Sequence, residues 1–209
     1  MAIPPAPPHQ NLKIRRLRRA ALPGDTAVLA RYLVGKILVH DAPQGRLAGR
    51  IVETEAYVVG DAAGHAFRGL SPRNRSLFLR RGHAYVYFTY GMHYCLNVSS
   101  ERPGIGAGVL LRALEPLEGI DAMARRRGTK RLFDLARGPG RLAQAMGVGP
   151  KFDGADLCGN GPLWLGEAKL PRLHIGSSVR IGISKEVHRP LRFYARGSLF
   201  VSGPKRLNP

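Results

Sequence analysis

The chain predicts an α+β fold, a single domain built around a curved, mostly antiparallel sheet with flanking helices. Three observations predict it. Segments with strand patterning dominate, the helical segments come in one block, and no alternation of strand and helix of the kind that builds a parallel sheet is present. The 209 residues allow one sizeable core, and two small ones less comfortably. No internal repeat and no linker divides them.

The elements follow in order. Residues 1–19 read as a flexible arm, first Pro-rich (MAIPPAPPHQ) and then basic; the cluster KIRRLRRA (13–20) is either a solvated charged arm or a phosphate contact. Residues 20–209 form the domain. TAVLARYLVG (26–35) has helical apolar spacing at Val28, Leu29, Tyr32 and Leu33, with Gly35 as a stop. KILVH (36–40), the turn DAPQG (41–45) and RLAGRIVETEAYV (46–58) read as a hairpin. Residues 60–82 are loop-like. HAYVYFTYGMHYCLN (83–97) is a second hairpin, turning at Tyr90-Gly91-Met92. IGAGVLLRAL (105–114) is a strand, and EPLEGIDAMARRRG (115–128) an amphipathic helix with Leu117, Ile120 and Met123 or Ala124 on one face. A further helix starts near Pro139 and stops at Gly147. SVRIGIS (178–184) and PLRFYARGSLFVS (190–202) are late strands.

Charge narrows the partner. Lys and Arg number 33 against 14 Asp and Glu, a formal net charge of +19. Such a field favours a polyanion, nucleic acid or an anionic membrane. No apolar run approaches the roughly 18 residues that span a bilayer, and the N-terminus has no signal-peptide core. A cytoplasmic protein without a membrane partner is expected. Cys95 and Cys158 form no CxxC and read as free thiols.

Against this basic background, RIVETEAYV (50–58) is the chemically interesting strand. On a regular pleat Glu53, Glu55 and Tyr57 share one face with Ile51, and Val52, Thr54, Ala56 and Val58 the other. Either both carboxylates pair with arginines on a solvated face, or one lines a pocket as a general base. The histidines show no HxxxH or HxxEH helix and no cysteine pair completes a zinc site, so no metal is expected. Dinucleotide-binding, phosphate-loop and serine-nucleophile signatures are absent, and no cofactor is expected. The turn of the second hairpin is the other anomaly. Exposed turns usually carry Asn, Asp, Ser or Gly; a Tyr and a Met beside Gly91 suit a probe that enters something.

Seven segments in order carry a resemblance: ETEAY (53–57), GHAFRG (64–69), PRNRSLF (72–78), YVYFTYGMHYCLNV (85–98), LLRALEPLEG (110–119), GPGRLAQAMG (138–147) and RFYARGS (192–198). Together they resemble the 3-methyladenine DNA glycosylases of the alkyladenine type, over roughly residues 20–202. The resemblance implies a compact α+β domain with a protruding, DNA-inserting hairpin. It also implies excision of alkylated or deaminated purines from double-stranded DNA, after the damaged nucleotide has been flipped into a pocket. Residue by residue, Glu55 matches the base that activates water and Arg112 the arginine that positions that water. Tyr57 and Tyr87 match the aromatics that sandwich the flipped base, His65 the pocket histidine, and Asn97 the residue that obstructs the 2-amino group of guanine. Tyr90 matches the intercalating tyrosine, with Met92 beside it, and Arg141 a basic residue near the DNA backbone. No lysine lies in these motifs, so a monofunctional enzyme that leaves an abasic site is expected; a monomer is expected as well. The rival reading is a non-enzymatic, basic minor-groove binder, which does not explain carboxylates beside stacking aromatics.

Overall fold

The structure, a computed structural model, describes residues 12–89 and 91–208. Its elements run β1 (Arg15–Arg16), α1 (Thr26–Leu33), β2 (Ile37–Ala42), β3 (Gly45–Tyr57), β4 (Ala84–Thr89), β5 (His93–Ser99), β6 (Gly108–Glu118), α2 (Ile120–Arg127), α3 (Pro139–Met146), β7 (Leu163–Glu167), β8 (Ile175–Ser178) and β9 (Arg192–Ala195). The strands make one nine-stranded sheet in the order β1-β7-β2-β3-β6-β5-β4, with β9 added to β3 and β8 to β9. The strand pairings are antiparallel. The fold is the expected α+β one.

β3 organises the molecule because it is long enough for two partners on one edge. β2 pairs with it from Ala42↔Gly45 to Ile37↔Arg50, and β9 takes over at Glu53, Thr54 and Glu55. Its other edge carries β6. Residues 53–55 are thus held between two strands in the middle of the sheet. On one face lies the main core, to which α1, α2 and α3 contribute Leu29, Met123 and Leu142 among others. Asp25 caps α1 by accepting the Val28 N–H at 2.8 Å. A smaller cluster of Ile37, Val39, Ala48, Leu117 and Trp164 covers the reverse face.

The β3–β6 ladder slips at two adjacent places, between Ile51 and Glu53 and between Glu53 and Thr54. The first leaves Val52 unpaired on β3 and the second leaves Arg112 unpaired on β6, so the two bulges cancel. The regular pleat expected for 50–58 is therefore corrected: Ile51 and Val52 both belong to the main core, and Ile51 shares no polar face with the glutamates.

Other boundaries move for identifiable reasons. Residues 115–118 continue β6 instead of starting α2, because the far end of β3 offers them a ladder; Leu117 is left unpaired between Pro116 and Glu118, a bulge that absorbs the proline. In 178–184 only Ser178 is in a strand. Beyond it the Ile181 N–H goes to a carboxylate instead of a ladder. β9 ends at Ala195, before Gly197 at φ 72°. The sequence reading missed β7 altogether.

The arm is also corrected in part. Arg15 and Arg16 pair with β7, Leu17 is buried, the Arg16 guanidinium lies 4.2 Å from the Trp164 ring centre, and Arg19 pairs with Asp156 at 2.5 Å. This stretch is docked, neither a free solvated arm nor an open phosphate contact throughout. Residues 1–11 lie outside the described residues. Among the described residues no helix is long and apolar enough to cross a membrane.

Candidate active site

The two glutamates of β3 have different surroundings, although both are fully buried. Glu53 Oε1 accepts from Arg112 Nε at 2.9 Å and Arg192 Nε at 2.7 Å, and Oε2 accepts the Ser202 N–H at 2.7 Å. Burial alone would raise its pKa, but Arg112 and Arg192 outweigh that and hold the carboxyl below the usual carboxylate range. Glu53 is therefore the structural ion-pair partner. Glu55 Oε1 accepts the Ile181 N–H at 2.8 Å and lies 3.2 Å from Arg112 Nη1. Its Oε2 accepts from the Tyr57 hydroxyl at 3.0 Å. The bulge at Arg112 puts one guanidinium between both carboxylates. Burial would lower the Arg112 pKa, but Glu55 and Glu53 overcome it and keep the guanidinium charged.

Tyr57 connects this buried cluster to a cavity of about 360 Å³, whose wall it forms with His65, Tyr85, Tyr87, Asn97 and Lys185. Glu55 and Arg112 lie behind this wall. Burial and the adjacent Glu55 push the Tyr57 phenol well above its ordinary value, so it stays protonated and donates. Burial, with Cys95 beside it, does the same for Tyr87.

The aromatic wall is built by β4. Tyr85 and Tyr87 are two residues apart, point the same way, and stack at 5.3 Å with planes 27° apart. His65 meets Tyr87 edge-on at 4.4 Å, and its Nδ1 shares a hydrogen bond of 2.9 Å with the Tyr85 hydroxyl. Burial pushes the Tyr85 phenol up to about 12. Partial burial and nearby Arg73 lower the His65 pKa, which favours a neutral ring. Asn74 holds this rim in place: its amide donates to the carbonyls of His65 at 2.8 Å and Gly69 at 3.0 Å. Asn97 stands on β5 opposite Tyr85 and donates to its carbonyl at 3.4 Å.

Glu55, Arg112, Tyr57, His65, Tyr87 and Asn97 are thus one constellation. The DNA-facing candidates lie elsewhere. Met92 is 70% exposed in the turn between β4 and β5, where its N–H donates to the Thr89 carbonyl. Tyr90 lies outside the described residues. Arg141, on the first turn of α3, is exposed and lies 3.3 Å from Asp134. Sequence reasoning missed Tyr85, which the strand alternation with Tyr87 signals. It also missed Ile181, the Asp61–Arg180 pair and Lys185, which sit in irregular chain without a local pattern.

A family model described as Methylpurine-DNA glycosylase (MPG) matches residues 20–199. A protein of Mesorhizobium japonicum is 65% identical over 191 residues, covering 91% of this chain and 92% of its own length. One of Paraburkholderia phytofirmans is 56% identical, covering 95% and 93%, and one of Chlorobaculum parvum is 47% identical, covering 90% and 91%. All three carry the provisional name 3-methyladenine DNA glycosylase. With a match across most of its length and relatives this similar, the chain belongs to the methylpurine-DNA glycosylase family.

Proposed function

We propose that residues 20–209 form a DNA glycosylase domain that removes alkylated or deaminated purines from duplex DNA with a Glu55-activated water. The observation that carries this reading is a carboxylate buried under an aromatic cavity and joined to it by the Tyr57 phenol. A DNA substrate is supported by the family and by the +19 charge.

The damaged nucleotide leaves the stack at a cost of a few kcal/mol and its base enters between Tyr57 and Tyr87. Aromatic faces attract a purine made cationic by alkylation. Asn97 opposes the 2-amino group of guanine. Glu55 takes the proton of the attacking water as its oxygen bonds to C1′, and the glycosidic electron pair leaves with the purine nitrogen. Arg112 orients that water while remaining paired with Glu53. The Ile181 N–H and the Tyr57 hydroxyl each occupy one lone pair of Glu55, which fixes the carboxylate and leaves acceptor capacity for the water. An alkylated purine is already a good leaving group and needs no acid. On the resemblance, Tyr90 fills the space vacated in the stack, with Met92 beside it, and Arg141 holds the backbone. The enzyme acts as a monomer and leaves an abasic site.

The test is incubation with a duplex carrying hypoxanthine or an alkylated purine, followed by hot alkali. Strand breaks that require alkali support the reading. Stable binding without breaks would make the chain a DNA-binding protein. Breaks before alkali would point to an amine, with Lys185 on the cavity wall the candidate for attack on the opened sugar.

A further inference from the structure

Arg180 touches the candidate base-binding tyrosine and adjoins the residue that holds the candidate general base, yet it belongs to neither set of reacting groups. It forms a two-pronged pair with Asp61, and both side chains are wholly inaccessible to solvent. Its Nη1 also donates to the Ala56 carbonyl at 2.9 Å. The guanidinium carbon lies 4.7 Å from the centre of the Tyr57 ring. The next residue, Ile181, gives its N–H to Glu55. Asp61 in turn shapes the loop that carries His65: its Oδ1 accepts the Ala63 N–H at 3.0 Å, and its carbonyl accepts the Gly64 N–H at 2.9 Å.

One buried cation therefore meets the end of β3, the loop from Val58 to His65 and the Tyr57 ring, one peptide away from the Glu55 contact. Holding the fold together does not require charge here. Two buried ions lose their hydration, and well-packed apolar side chains of similar volume often stabilise a fold equally well. A planar fork does supply something that an apolar pair lacks, fixed directions toward several partners at once.

We infer that the Asp61–Arg180 pair is a positioning device for the excision step. It sets the plane of Tyr57 and the direction of the Ile181 N–H, and through them the orientation of the Glu55 carboxylate, from side chains that are themselves closed to solvent. The inference rests on the proposed role of Glu55.

The test compares the parent, Asp61→Asn and the double variant Asp61→Leu/Arg180→Met. Three quantities are measured: thermal midpoint, affinity for a hypoxanthine duplex and single-turnover excision rate. The double variant removes both charges and leaves no ion unpaired. It is expected to keep the parental midpoint while, with enzyme saturating, excising about 10²-fold more slowly, the loss that a misplacement of roughly 1 Å produces, and its lesion affinity falls as far as the Tyr57 ring shifts. Parental midpoint, affinity and rate together in the double variant would overturn the inference. If the double variant does not fold, Asp61→Asn decides: a folded, binding-competent protein about tenfold or more slower supports positioning, and one at the parental rate refutes it. Glu55→Gln run in parallel separates the two claims. An active Glu55→Gln sinks the reading of Glu55 itself, whereas an inactive one beside a fully active double variant sinks only the positioning role.

Discussion

Glu53 and Glu55 are separated by one residue, and their partners decide what each can do. Glu53 offsets two guanidiniums, one of them on Arg192, which is wholly buried. Removing its charge leaves Arg192 without a carboxylate partner among the described residues, and loss of one partner of a buried pair typically costs about 3–5 kcal/mol. Glu53→Gln should therefore lower unfolding free energy by about 3 kcal/mol in a denaturant titration. The sign of the pH dependence follows from the depressed Glu53 pKa. The unfolded chain binds its proton near 4.5 and the folded one only at lower pH, so this stability is present above pH 4.5 and is lost as pH falls through the folded value. The parent should lose stability there more steeply than Glu53→Gln. Asn97 is the residue proposed to discriminate against guanine. Asn97→Ala or Asn97→Ser should let mispaired guanine in, raising guanine release, because the clash and the unpaired polar contact both disappear. An unchanged rate in both variants would make Asn97 structural. Glu55 and Tyr57 stood out because strand patterning puts them on one face, whereas Tyr87 and Asn97 were reached only through the resemblance. Ile181 and Arg180 were not: their contacts span 126 and 119 residues and follow no local period.

The lead into β6 shows how an element sets the cavity from outside it. A Cβ on Gly106 would fall 2.4 Å from the Phe78 ring and 2.6 Å from the Ala66 Cβ. The chain passes close against the loop carrying His65, and only a residue without a side chain allows it. Gly106→Ala should cost about 1–3 kcal/mol by overpacking and weaken lesion binding, since Ala66 moves with His65. Thermal unfolding and duplex titration check this; a parental value in both would mean that the loop gives way freely. The same close approach explains why the loop was only partly readable. Its glycines signalled irregular chain, but the Asn74 contacts that shape the rim depend on the folded path. The hairpins, by contrast, were legible because their turns and alternation are local. β7 was missed because PLWLGE follows the Gly-rich CGNG, runs into the Pro-containing AKLPRL and gains its identity only by pairing with β1 and β2.

At the scale of the whole molecule, charge and site divide the labour. The +19 excess favours a duplex whatever its sequence, and in the proposed function the cavity reads the damage. If roughly five phosphates are neutralised, log K for undamaged duplex should fall with log salt at a slope of about −4 to −5. A slope near zero would mean that the charge faces elsewhere. The α+β class and the sheet's central strand were legible because apolar patterning marked the long hairpin. The double bulge that turns Arg112 toward both glutamates was not, because a bulge is a property of two strands together. That bulge is also what makes Glu55 accountable: it shares Arg112 with Glu53, is fixed by Ile181 and meets Tyr57 at the cavity. Single-turnover excision by Glu55→Gln on a hypoxanthine duplex, with affinity measured on the same duplex, tests this most directly. The amide keeps the shape and forfeits water activation, so release should slow by about 10²–10⁴ with binding preserved. Excision at the parental rate would contradict the account.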